Sequence, residues 1–97
     1  MKIEKVLDGQ QLTIKLSGRL DTNTAPELES DLKESLSDVK DMVFDFHDLA
    51  YISSAGLRIL LLTKKAIKEG EVKVIGVNET IREILEVSGF AEILTIE

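Results

Sequence analysis

At 97 residues with 43% hydrophobic side chains, the chain has enough apolar material for one core, which excludes a disordered segment. It has no cysteine, so disulfides and thiolate chemistry are excluded, and its net charge of −6 weighs against nucleic-acid binding, which needs clustered Lys and Arg. Met1 leads into "KIEKVLDGQ" with no apolar signal-peptide core, and the longest apolar run, Ile59 to Leu62, is far below the roughly 20 residues of a membrane span. A domain of the reducing cytoplasm, bound neither to membrane nor to nucleic acid, is expected. Its core must be mainly aliphatic, because Phe44, Phe46, Tyr51 and Phe90 are the only aromatic residues.

The segment "IEKVLDGQQLTIKLSG" predicts two short strands around an Asp8-Gly9 turn signal. Leu12, Ile14 and Leu16 alternate with Thr13, Lys15 and Ser17, which gives the second strand one buried face. "DTNTAPELESDLKESLSDV" predicts a helix. Thr24 and Glu27 have capping-box spacing, Pro26 is tolerated in the first turn, and Leu28, Leu32 and Leu36 form one core stripe.

A strand from Met42 to Phe46 comes next, then a helix from Ser54 to Glu69 that Gly70 stops. "EVKVIGV" is another strand. Asn78 caps a last helix ending at Gly89, and "AEILTIE" is a candidate short edge strand. Strands joined through helices imply parallel pairing with right-handed crossovers. The expected fold is a single α/β domain over residues 1–97, a mixed four- to five-stranded sheet with helices mainly on one face.

Two adjacent serines, Ser53 and Ser54, stand where a strand hands over to a helix. A nucleophilic role needs a base and a group to orient it, and the only histidine, His47, lies six residues before Ser53 with no Gly-x-Ser-x-Gly elbow. A metal site lacks cysteines and a histidine pair, and a phosphate-cradling loop lacks its glycines and its Lys-Ser/Thr end. No cofactor is expected. One serine suffices as an N-cap, while a second hydroxyl at a helix N-terminus suits a phosphoryl group. The residues alone leave capping and phosphorylation both open.

At about 100° per residue, Ala55, Gly56, Ile59, Leu60, Leu62, Thr63, Ala66 and Ile67 share one face of that helix. Ser54, Leu57, Arg58, Leu61, Lys64, Lys65 and Lys68 share the other. Late lysines complement the helix dipole. A leucine pair, Leu57 and Leu61, beside a modifiable hydroxyl reads as a partner surface that an added phosphate would disrupt.

"VFDFHDLAYISSAGLRILL" resembles the signature of STAS domains, in particular bacterial anti-sigma factor antagonists. "LSGRLDTNTAPELESDL" is similar to the family's earlier strand, Gly-x-Leu-Asp and loop, and "VIGVNETIREILEVSGFAEILTI" to its closing strand and helix. The resemblance implies a regulator rather than an enzyme. In its unphosphorylated form, such a protein binds an anti-sigma factor with serine kinase activity and frees a sigma factor. Phosphorylation ends the complex, and a PP2C-type phosphatase restores it.

The acceptor that the resemblance implies, two places before the glycine, is Ser54, with Ser53 the runner-up. Ser53 stands where many members have aspartate. The implied partner-binding residues are Ser53, Ser54, Gly56, Leu57, Arg58 and Leu61, with Asp21, Thr22 and Asn23 from the loop near the acceptor. A monomer is expected when the protein is alone. The alternative is a constitutive scaffold or transporter-associated subunit that binds its partner without phosphorylation.

Overall fold

In the computed structural model, which describes residues 1–97, alternating side chains build a hairpin of β1 (Lys2–Asp8) and β2 (Gln11–Leu20). The strands pair antiparallel from Lys2↔Ser17 to Asp8↔Gln11, and Gly9 supplies the positive φ of +62° that the two-residue turn needs. Then follow α1 (Ala25–Ser35), β3 (Asp41–Ile52), α2 (Ser54–Ala66), β4 (Val72–Ile75), α3 (Glu79–Val87) and β5 (Thr95–Ile96). The sheet runs β1-β2-β3-β4-β5, with every pair after the hairpin parallel. The expected mixed sheet is therefore present, with five strands.

The buried alternation fixes which side is covered. Leu12, Ile14, Leu16, Met42, Phe44, Phe46, Val72 and Val74 form one core cluster with Leu28, Leu32, Ile59, Leu60, Ile81 and Leu85 of the helices. Each fully buried side chain of this kind contributes about 1.5–3 kcal/mol. Thr13, Lys15, Val43, Asp45, Lys73 and Ile75 occupy the alternate positions and are only half-buried. All three helices thus lie on one side of the sheet.

Four local expectations need correction. β3 runs to Ile52 rather than ending at Phe46. Its register against β2 slips twice, between Lys15↔Asp45 and Ser17↔Asp48 and between Gly18↔Leu49 and Arg19↔Tyr51. Each slip adds a residue to β3, and such bulges hide the alternation that a strand is recognised by. α2 ends at Ala66 rather than Glu69, because Ile67 turns extended and buries itself in the core. Gly70 is no helix cap. Its backbone lies so close to the Lys40 carbonyl that an added Cβ would overlap it.

The Thr24–Glu27 capping box does not form either. The Thr24 hydroxyl turns away, donating to Arg19 O at 2.8 Å and accepting from the Asp21 N–H at 2.9 Å. Lastly, Leu62 and Ala66 are exposed, while Leu57 and Leu61 are half-buried. The helical wheel ignores neighbours. α1 leaves a groove beside α2, and Leu62 and Ala66 line it with Leu32 and Leu36.

Candidate functional site

The parallel strands β2 and β3 end side by side at Leu20 and Ile52, and one residue, Ser53, joins β3 to α2. Ser53 is extended, with φ −100° and ψ 179°, so it stands just outside the helix. Its N–H donates to Leu20 O at 2.9 Å, and its carbonyl accepts the Leu57 N–H at 3.0 Å. Its side-chain Oγ accepts the Ala55 N–H at 3.2 Å, the N-cap bond. Ser54 is the first helical residue and is exposed, so its hydroxyl faces solvent beside the orphan N–H groups of the first turn.

Gly56 lies under this turn and is buried. An added Cβ would lie 2.6 Å from Ile52 Cγ1 and 2.8 Å from Leu20 Cγ. The glycine therefore lets the helix start flush against the strand ends, and it offers a partner no side chain. Leu57 packs partly against the core, Arg58 is exposed, and Leu61 stands half-buried about 10 Å along the axis from Ser54. α2 carries Arg58, Lys64 and Lys65 and no carboxylate between Ser54 and Ala66.

The loop Asp21–Thr24 folds against the same end of the sheet. Asp21 Oδ1 accepts the N–H groups of Asn23 and Thr24 at 3.0 and 3.2 Å, and its carbonyl accepts those of Thr24 and Ala25. Asp21 thus ties down the loop that leads into α1, while Thr24 holds the N-cap position without a side-chain bond to the helix. Desolvation pushes the Asp21 carboxyl up, but those two N–H groups, the Thr24 hydroxyl and the Arg19 charge outweigh it and hold it below the ordinary value. Thr22 lines a shallow groove with Ala55 and Arg58, so loop and helix present one continuous surface. Asn23 is exposed on that loop.

Arg19 and Tyr51 belong to this region and were not singled out from the sequence. The Arg19 guanidinium sits 4.5 Å over the Tyr51 ring, with its Nε 3.8 Å from Asp21 Oδ2. Only the strand register, Arg19↔Tyr51, brings them together. His47 is engaged elsewhere. Its Nδ1 lies 2.6 Å from Asp45 Oδ1, and its ring packs on Gly76. About 16 Å of strand separates it from the Ile52 end of β3, out of reach of Ser54 as a base.

The family model for the STAS domain matches residues 2–97. The chain belongs to the STAS domain family. The anti-sigma-B factor antagonist of Staphylococcus aureus is 27% identical to it over 99 residues, covering 99% of this chain and 92% of that protein. An anti-sigma factor antagonist from Mycobacterium paratuberculosis superposes with a TM-score of 0.89 at 23% identity, over 98% of this chain and 83% of that one. The Bacillus cell fate determinant SpoIIAA in its phosphorylated form superposes at 0.79 with 16% identity, over 99% and 91% of the two chains. These likenesses show the STAS fold, and no helix of this STAS domain is long and apolar enough to cross a membrane.

Proposed function

We propose that this STAS domain is an anti-sigma factor antagonist switched by phosphorylation of Ser54. Unphosphorylated, it holds an anti-sigma factor with serine kinase activity through the start of α2 and the Asp21–Thr24 loop, and so frees a sigma factor. The observation that carries this reading is the division of the two hydroxyls: Ser53 is spent on the helix cap, and Ser54 is exposed beside it. The γ-phosphoryl of ATP passes to Ser54 Oγ, which loses its proton, and ADP leaves. A PP2C-type phosphatase returns the serine by hydrolysis, with inorganic phosphate as the second product.

The surface around Ser54 fits that role. Half-buried Leu57 and Leu61 and the cations of α2 favour an apolar and acidic partner face. A phosphoserine brings about −1.5 to −2 of charge into such an interface and disrupts it by repulsion and desolvation. The named relatives are antagonists of anti-sigma factors, which is the same class of binding.

Incubation with a candidate anti-sigma kinase and ATP, followed by mass-spectrometric mapping, tests the assignment. Phosphate is expected on Ser54 in the parent chain and in Ser53→Ala, and on neither serine in Ser54→Ala. Ser54→Ala should still bind the partner but resist release, and Ser54→Asp should bind at least about tenfold more weakly. Incorporation lost in Ser53→Ala but kept in Ser54→Ala would move the acceptor by one residue. Stable binding without any phosphate would favour the constitutive scaffold.

A further inference from the structure

Ser54 and Arg58 stand one turn apart on α2, and both are exposed. Residues at i and i+4 have Cβ atoms about 5–6 Å apart. Helical side chains lean toward the N-terminus, so the long Arg58 side chain reaches back over the first turn. An acidic group four residues before a basic one is also the better of the two possible orders.

Arg58 is a free cation. The eight ion pairs of the chain all engage other groups. Glu29 of α1 shares both grooves with Arg58, but its carboxylate meets Lys33 at 4.0 Å. The other arginine at this end, Arg19, is occupied by Tyr51 and Asp21. Lys64 and Lys65 begin about 15 Å along the helix axis from Ser54. An unpaired guanidinium has the planar fork of donors that binds phosphate in a bidentate way.

We propose that a phosphoryl group on Ser54 captures Arg58. Modification then removes a free cation from the partner surface as well as adding an anion to it. The inference rests on Ser54 as acceptor, yet its test needs no kinase.

Phosphoserine is installed at position 54 of the full chain by genetic encoding, in the parent protein, Arg58→Gln and Arg58→Lys. The second ionisation of the phosphate, near pH 6 in isolation, is followed by 31P NMR. It should fall about 0.2–0.4 lower in the parent than in Arg58→Gln, with Arg58→Lys, which keeps the charge but not the fork of donors, in between. The difference should shrink at about 0.5 M salt.

The Arg58 side-chain Nε signal of the parent chain should also move on phosphorylation. It requires no variant, so the test stands even if Arg58→Gln folds poorly. Equal titration in all three proteins, or an unmoved Arg58 signal, overturns the capture. A kinase that leaves Ser54 unmodified defeats the acceptor assignment instead, so the two failures are distinguishable.

Discussion

Ser53 Oγ accepts one N–H from Ala55, while its own N–H is bound to Leu20 O, so truncating the side chain removes the cap and spares the backbone bond. Ser53→Ala should lower stability by about 1 kcal/mol in urea unfolding and leave phosphate incorporation at Ser54 intact. A larger loss, or lost incorporation with the fold preserved, would mean that Ser53 contributes to the switch directly. Ser53 takes the cap and leaves the Ser54 hydroxyl exposed because a cap must precede the helical dihedrals. At α1, Thr24 does hold the N-cap position, but the side-chain cap expected of it is absent. Thr24 is itself in a helical conformation, and Asp21, three residues earlier, receives the loop's N–H groups through a turn closed by its carboxylate. Asp-Thr-Asn-Thr contains four plausible caps, and spacing alone does not choose among them.

At the scale of elements, Gly56 sets how closely α2 approaches the strand ends. Gly56→Ala would gain up to about 1 kcal/mol of helix propensity but must displace the buried Leu20 and Ile52 side chains. A net loss of about 1–2 kcal/mol is expected in urea unfolding, and an unchanged midpoint would show that the two side chains yield freely. The glycine of the serine motif thus has a packing reason that spacing did not supply. The same limit explains the faces of α2. Period 3.6 found the buried Ile59, Leu60 and Thr63, but it could not see the groove left by α1, so Leu62 was assigned inward although it is 42% exposed. β3 was shortened for a related reason: two bulges interrupt its period-2 pattern exactly where it approaches the site.

Across the whole molecule, Asp21 and Asp45 are the carboxyls held below their ordinary values. Burial pushes Asp45 up, but the His47 N–H, the His47 ring and the Lys15 charge outweigh it. A folded-state value below the unfolded one stabilises the protein above the unfolded value, near 3.9, and that contribution is lost as pH falls through the folded value. The urea midpoint should therefore drop below about pH 4, and Asp45→Asn should drop less steeply and converge with the parent in acid. Parallel curves would remove Asp45 from the acid response. The order of elements along the chain and the mixed sheet were legible because alternation, turn glycines and helix stripes agree with one another along the chain. The Arg19–Tyr51 contact was not, since it depends on a register that the bulges shift.

The bonds from Ser53 to Leu20 and Leu57 have a further consequence, for substrate recognition. They pin Ser54 into the first turn of a packed helix, a shape that a short peptide cannot keep, since isolated helices of this length are marginal in water. An enzyme that reads extended chain would have to unwind α2 before it could reach the serine. A synthetic peptide spanning Asp48–Leu62 should accordingly be phosphorylated far more slowly than the intact protein, and equal rates would show that the kinase reads local sequence alone. The proposed acceptor is thus presented by a folded surface, much of it supplied by residues remote in the chain.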